Sequence, residues 1–329
     1  MGHDIVDVAY MAVAGLGTLC MLHLLLRFGS RLPQDVPNER SLHAGCIPRV
    51  GGLAMWAGGG IAVLLAVLAG RTGGNLSVIG AAAGALALLS FFDDRRGLPV
   101  ALRMLAHLAA ATWVASALPL PLPIAACLAL ALALAWMANL YNFMDGSDGL
   151  AGGMTLAGFA TYGIAAWPWD HDLALFSVIV AAAAAGFLVF NFHPARTFMG
   201  DAGSIPLGFM AGGFGLAGWQ AGIWPAWFPV LVFSPFIVDA SVTLMRRAMR
   251  RERVWQAHRD HYYQRLVRMG WGHRRTALAE YGVMLAAGGS ALILMRVAAP
   301  YQWVGIAALA AIYAGLAWRI DKSWAAKAP

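Results

Sequence analysis

Residues 173–192, LALFSVIVAAAAAGFLVFNF, run for twenty positions without one charged side chain. An α-helix rises about 1.5 Å per residue, so a run of this length spans the ~30 Å hydrocarbon core of a bilayer. The chain repeats the pattern, with windows near 5–26, 51–70, 75–92, 100–118, 121–142, 150–167, 173–192, 204–222, 225–246, 276–296 and 300–319. None shows period-2 alternation, so helices are expected and a barrel is not. Turn-forming residues separate the windows: RTGGN at 71–75, LPLPLP at 118–123, WPWD at 167–170 and AAP at 298–300. Only 12% of the residues are charged and 60% are hydrophobic, against roughly 25% charged in a soluble domain. That excludes a water-soluble globule, and the ample apolar surface excludes disorder. The three cysteines (Cys20, Cys46, Cys127) form no CxxC pair, which argues against a disulfide framework or a structural zinc site. The expected fold is all-α: a polytopic membrane protein of about eleven transmembrane helices in one domain over 1–329. Ala- and Gly-rich stretches such as GAAAGALALL at 80–89 read as close helix packing.

Basic residues give an orientation. The net charge of +7 could suggest nucleic acid, but in a membrane protein Lys and Arg mark the cytoplasmic face, so no nucleic-acid partner is expected. With the N-terminus outside and the C-terminus cytoplasmic, every Lys and Arg except Arg71 and Arg296 falls at the inner face. The reverse orientation would place the Arg-rich 247–275 loop outside. The first ten residues carry Asp4 and Asp7 and no Lys or Arg, so they read as part of a retained first span rather than a cleaved signal. The expected location is a bacterial inner membrane, crossed many times, with the lipid bilayer as a partner.

Acids on that basic face need a reason. Asp93, Asp94, Asp145, Asp148 and Asp201 all fall at inner ends of predicted spans or just beyond. Helix capping accounts for one such Asp, not for five in three loops. Carboxylates among arginines beside a membrane suit a Mg²⁺-assisted reaction on phosphates, because Mg²⁺ binds through one or two carboxylates plus substrate oxygens. In FFDDRRGLP the adjacent Asp93 and Asp94 point different ways, with Arg95, Arg96 and Arg103 nearby. In NLYNFMDGSDGLAGG, Asn139 and Asn142 stand three apart on one predicted helix face, and Asp145 and Asp148 follow in a Gly-broken turn. In FMGDAGSIPLG, Asp201 lies between glycines, and Ser204 reads as a cap of the eighth span. His258, His261 and Arg265 share a face if their segment is helical. Asp239, inside a span, is a functional candidate, with a loop arginine as an equal claimant for its charge. His23 and His107 read as packed polar contacts.

These blocks resemble the polyprenyl-phosphate N-acetylhexosamine-1-phosphate transferases (glycosyltransferase family 4), most of all those that initiate O-antigen on undecaprenyl phosphate. The resemblance runs from about residue 40 to 270, on HAGCIPRVGG (43–52), FFDDRRGLP (91–99), NLYNFMDGSDGLAGG (139–153), FMGDAGS (198–204) and HRDHYYQRL (258–266). It implies a Mg²⁺-dependent transfer, with Mn²⁺ able to substitute, of an N-acetylated aminosugar-1-phosphate from a UDP-sugar to undecaprenyl phosphate. UMP leaves and a lipid-linked glycan begins. By resemblance Asn142 and Asp201 are the metal ligands. Asp93 or Asp94 handles the acceptor's proton, Asp145 and Asp148 lie on the nucleotide side, and His261 joins them in the catalytic set. His43, Arg49, Arg103, Asn139, His258 and Arg265 are expected to bind substrate, Arg103 at the pyrophosphate, and a second copy of the chain is among the expected partners. Many relatives carry His-x-His-His where this chain has His261-Tyr262-Tyr263-Gln264. The departure favours the O-antigen-type subgroup over a phospho-MurNAc-pentapeptide translocase, and makes 247–275 the expected sugar-reading loop. A secondary transporter is the remaining rival, but its charges belong at the bilayer midplane.

Overall fold

The computed structural model describes residues 2–28, 33–35, 42, 45–118, 122–254, 256 and 258–327. The protein is nearly all helical. Its helices are α1 (Gly2–Arg27), α2 (Gly51–Leu68), α3 (Asn75–Arg96), α4 (Val100–Ala117), α5 (Ile124–Met144), α6 (Leu150–Ala166) and α7 (His171–Asn191). There follow α8 (Asp201–Gln220), α9 (Trp227–Val232), α10 (Ser234–Met249), α11 (Tyr262–Leu266), a π-helical turn (Val267–Trp271), α12 (Gly272–Leu294) and α13 (Ala299–Lys327). A two-residue antiparallel pair, β1 (Gln34–Asp35) and β2 (Ile47–Pro48), lies between α1 and α2.

Among the described residues every apolar window is occupied largely by helix, and eight helices are long and apolar enough to cross a membrane. The molecule is a polytopic membrane protein. The sixth window is a shorter helix of 17 residues, and α8 carries Pro206 inside it. The ninth window is not one helix. It divides at Phe233 between α9 and α10, with Pro229 before the break and Pro235 after it; a proline removes a backbone donor and crowds the preceding turn. Local signals set the other ends. Asp170 accepts the Leu173 N–H at 2.9 Å to start α7, and Gly97, left-handed at φ 67°, ends α3.

The core is built around α7, which packs on α6, α1 and α2 and has 72% of its apolar window buried; α13 has none fully buried and lies at the periphery, with one side on α11 and α12. Small residues set the helix spacing. A Cβ on Gly52 of α2 would stand 2.5 Å from the Cα of Gly203 on α8, so these two backbones touch. Charge gathers at both ends of the bundle. At one end Arg71, just past α2, reaches Asp7 of α1 and Asp172 of α7, each at 3.3 Å. At the other lie the acids singled out above.

Candidate active site

The last turn of α3 holds Asp93 and Asp94 about 100° apart around the helix, and they have different neighbours. Asp93 is buried with both oxygens engaged: Arg103 Nη1 donates at 2.9 Å and the Leu98 N–H at 2.5 Å, which closes the turn into α4. Asp94 turns the other way, toward Arg49 Nη1 at 3.7 Å, and accepts the Ala202 N–H.

Arg49 is delivered by a backbone seam. It forms a parallel bridge with Phe198. The Gly51 N–H donates to the Phe198 carbonyl and the Phe198 N–H to the Pro48 carbonyl, both at 2.9 Å. The segment before α2 is thereby stitched to the loop before α8. Burial works against the charge of Arg49, but the carboxylates of Asp35, Asp201 and Asp94 more than offset it and raise its pKa above the ordinary value. Its Nη2 donates to Asp35 at 2.6 Å. Gly200 lies between these groups with φ 73°, and a Cβ there would come within 3.3 Å of the Arg49 Cβ and 3.6 Å of an Asp94 oxygen.

Asp201 opens α8, where the positive end of the helix dipole favours a carboxylate. It shares a side-chain hydrogen bond with Asn142 of α5, whose Oδ1 accepts from Ser204 Oγ at 2.8 Å. Ser204 is therefore not the cap of α8: the cap position is Gly200, without a side-chain bond, and Ser204 sits inside the first turn. Asp145 ends α5. Burial first, and then Asp201, push its carboxyl well above the usual range, with Arg49 and the Gly200 N–H opposing.

Among the described residues four carboxylates (Asp93, Asp94, Asp145, Asp201) thus face two guanidiniums, Arg49 and Arg103, and Asp35 bonds Arg49 from outside them. The surplus of negative charge suits a cation. Among the described residues no three His, Cys, Asp or Glu side chains converge as a closed metal cage, so a bound cation would keep positions open for other oxygens.

Asp148 stands apart from this centre. Its Oδ2 accepts from His193 Nδ1 at 2.6 Å and from the Ala195 N–H at 3.1 Å, and its Oδ1 lies 3.6 Å from His273 Nδ1. His193 and His273, like Asp35, had no motif or spacing to mark them in the sequence.

The 258–266 segment differs from its expected single helical face. The helix begins only at Tyr262, so His258 precedes it in irregular chain. Asp239 of α10 is the reason. It accepts the N–H groups of Tyr262 and Tyr263 at 2.9 and 3.1 Å and lies 3.2 Å from His261 Nδ1, so it caps α11 rather than pairing with a loop arginine. His261 is buried, with the His258 ring 4.8 Å away and Phe143 stacked on it. Tyr263 Oη donates to the Phe143 carbonyl at 3.1 Å, joining the segment to the Asn142–Asp145 corner. Arg265 turns away to Asp321 on α13, at 2.8 Å. Asn139 and Asn142 also separate, since Asn139 bonds the Ala135 carbonyl and His107 of α4 instead of the acids. His107 is the packed polar contact expected of it, whereas His23 is exposed and bonds Arg27 at 2.9 Å. His43 lies outside the described residues.

An apolar cavity of about 350 Å³ between α2, α3, α7 and α8 is lined by residues such as Trp56, Val63, Leu76, Phe176 and Phe214 and by no charged side chain. A phosphate has no partner there. Phosphate chemistry belongs to the acid and arginine cluster.

Comparison with known proteins places the chain in a family. Residues 76–218 match the sequence profile described as glycosyl transferase family 4. A decaprenyl-phosphate N-acetylglucosaminephosphotransferase of Mycolicibacterium smegmatis is 30% identical, over 88% of this chain and 82% of its own. A probable undecaprenyl-phosphate N-acetylglucosaminyl 1-phosphate transferase of Bacillus subtilis is 29% identical, over 79% and 76%. A phospho-N-acetylmuramoyl-pentapeptide-transferase of Thermosynechococcus vestitus is also 29% identical, over 89% and 84%. From Arg49 to Ser204 the clustered residues lie within or just before the matched region, and on this similarity the chain belongs to glycosyl transferase family 4.

Proposed function

We propose that the protein transfers a sugar-1-phosphate, from a UDP-linked N-acetylated aminosugar, to undecaprenyl phosphate, releasing UMP and starting a lipid-linked cell-surface glycan of the O-antigen type. The observation that carries this reading is the gathering of Asp94, Asp145 and Asp201 opposite Arg49 at one end of an apolar bundle. The names of the relatives support a polyprenyl-phosphate acceptor and an aminosugar phosphate. That end of the bundle is assigned to the cytoplasmic face of a bacterial inner membrane, from the distribution of Lys and Arg.

The donor and the acceptor both arrive negatively charged, so Coulomb repulsion opposes their approach. Arg49 and Arg103 bind phosphate oxygens. Asn142 and Asp201 would hold Mg²⁺ (or Mn²⁺), which when bound neutralises the pyrophosphate and makes UMP a better leaving group. Their oxygen donors and the open coordination around them fit such an ion. A lipid-phosphate oxygen forms the new bond to the sugar-bearing phosphorus. The bond from that phosphorus to the UMP oxygen breaks, and UMP leaves with the electron pair. Asp94 takes the acceptor's proton; Asp93 suits that role less, because Arg103 and the Leu98 N–H each bond one of its oxygens. One displacement suffices, since a carboxylate facing Arg49 is a weak nucleophile and an adequate base.

The test is a panel of UDP-GlcNAc, UDP-GalNAc and UDP-MurNAc-pentapeptide with undecaprenyl phosphate and purified protein, with and without EDTA. Lipid product is read by mass and UMP by release. Mg²⁺-dependent product from an aminosugar donor is expected. Product from the MurNAc-pentapeptide alone would favour the translocase-type reading that the Thermosynechococcus relative represents, and no UMP from any donor would overturn both.

A further inference from the structure

The 350 Å³ cavity takes no part in the phosphate chemistry, and it lies between two helices consecutive in the chain. α2 packs chiefly on α1 and α7, and α3 chiefly on α8 and α4. The cleft left between them is backed by Phe176 and Ile179 of α7 and by Leu207 and Phe214 of α8, all buried. It follows α2 from Trp56 to Val67, a stretch of helix about 16 Å long. Glycines keep it open. A Cβ on Gly60 or Gly80 would meet nothing within 4 Å, and Gly60, Val67 and Ala81 on the rim are exposed at the flank of the bundle.

Both ends are closed. At the Arg71 end the α2–α3 turn covers the cleft, with Gly73 so near Phe176 that a Cβ would stand 2.8 Å from its ring. Ser77 Oγ, on the rim there, is spent on the Gly74 carbonyl at 2.7 Å. At the carboxylate end three links stand between the cleft and the centre. Trp56 Nε1 donates to the Ala202 carbonyl at 3.1 Å, the Ala202 N–H donates to Asp94, and Gly52 rests on Gly203. A lipid tail tied to a phosphate at the centre has no direct way in. The opening is sideways, toward the hydrocarbon of the bilayer. Water does not suit the space, because it needs two to four polar partners and no charged side chain lines the cleft. Left empty, the walls would forgo the dispersion contacts of a close-packed interior.

We infer that the cleft between α2 and α3 is a binding site for one acyl chain of a bilayer phospholipid, which enters from the side and holds the two helices at their spacing. A hydrocarbon chain gives up nothing in leaving the bilayer core for an equally apolar groove, so the filling of the void decides the balance. The consequence reaches the centre through the walls. α2 begins two residues after Arg49, and Asp94 lies in the last turn of α3, so the helices that grip the chain carry the two members of the 3.7 Å pair. The filled cleft keeps that pair together. This coupling to turnover rests on the transferase reading above; the binding itself does not.

The test uses the full-length protein, stripped of lipid by detergent exchange and reconstituted with phosphatidylglycerol that carries a diazirine midway along one acyl chain. After photolysis, peptide mass spectrometry should place adducts on 56–67 and 76–81. Gly60→Leu and Gly80→Leu put a side chain where the wild type has room. Each should leave at least about tenfold fewer adducts there, since extra methylenes in a filled site cost on that order. Added phosphatidylglycerol should raise the melting temperature of the stripped wild type and not that of either variant. Leu64→Ala, on an exposed part of α2 outside the cleft, should behave as wild type. Adducts spread evenly over the exposed faces of α2 and α3, and unchanged in both glycine variants, would overturn the inference. So would loss of the adducts to excess undecaprenyl phosphate, which would give the cleft to the acceptor's tail. At saturating acceptor the stripped wild type should regain turnover with phosphatidylglycerol, and turnover indifferent to it would overturn the coupling to Arg49 and Asp94. If no UMP were released from any UDP-sugar, the transferase reading would fall, while adducts and melting curves would still decide the lipid site.

Discussion

At one end of the bundle Arg71 stands between Asp7 and Asp172, and the Gly73 N–H completes the coordination of Asp172. At the other end, among the described residues, the carboxylates of Asp93, Asp94, Asp145 and Asp201 face two guanidiniums. The first group is closed: each charge has a partner, and the three residues staple α1, the α2–α3 turn and α7. The second is undercompensated, so it costs folding energy as it stands and recovers it only when something cationic, or a proton, arrives. Ion clusters at two helix ends can look alike in a sequence and serve opposite ends, fixing a fold in one case and awaiting a substrate complex in the other.

Removing Asp201 should separate them most sharply. Asp201→Asn keeps size and deletes one of the excess charges, so turnover should fall at least about a hundredfold, on the order of 3 kcal/mol of transition-state stabilisation. Its melting temperature without metal should hold or rise. Mg²⁺ should raise the melting temperature of the wild type and of this variant much less. Activity and thermal shift against Mg²⁺ concentration check all three, and near-normal activity with a normal Mg²⁺ response would remove Asp201 from the ligand set.

Asp94→Asn should lower kcat by about a hundredfold, the scale of a lost general base. Asp93→Asn should instead cost stability, by loosening the Arg103 and Leu98 contacts that join α3 to α4. Rates and melting curves of the two variants, measured together, would reverse that assignment if Asp93 were the more damaging for kcat at equal stability. Arg71→Ala, at the closed end, should do the opposite of Asp201→Asn. It leaves Asp7 buried without its partner, at a cost of about 2 kcal/mol, with kcat and KM unchanged in the folded fraction. A large loss of kcat there would mean that the two ends are coupled.

The smallest effect concerns pH. Burial, His261 and Arg247 push the His258 pKa down to about 4, while an unfolded histidine titrates near 6.5. Between those values the unfolded chain binds the extra proton, so this contribution to stability is complete above about pH 6.5 and is lost as pH falls toward 4. Wild type should therefore lose a few degrees of melting temperature over that window relative to His258→Gln, and parallel pH profiles would refute the assignment.

Much of this was legible in the sequence because the bilayer imposes length. Apolar windows with turn residues between them located the long helices of the bundle, though not the short α11, and the acids stood out by lying among arginines. What escaped depended on packing. The divided ninth helix sits in a window apolar throughout, where only Pro229 and Pro235 hinted at a break. Asp93 and Asp94 are neighbours in sequence, and which of them faces Arg49 follows from how α3 meets α4 and α8. Asn139 and Asn142 share a nominal face, yet the 60° between positions three apart sends one to α4 and the other to α8. Arg265 and His258 were grouped with His261 on helical spacing, which fails because Asp239 starts α11 at Tyr262. His193 and His273 come together only through tertiary structure, and no spacing rule reaches across 80 residues.

Gly52 and Gly203 meet where α2 crosses α8, with no room for a methyl group between them. Arg49 stands three residues before the first and Asp201 two before the second. The separation of the opposite charges at the centre is thus gauged by a pair of hydrogen atoms one helical turn away. A substitution as mild as alanine at position 52 would wedge the helices apart and weaken a Coulomb attraction that varies inversely with distance, so a defect of size would be recorded in the assay as a defect of charge.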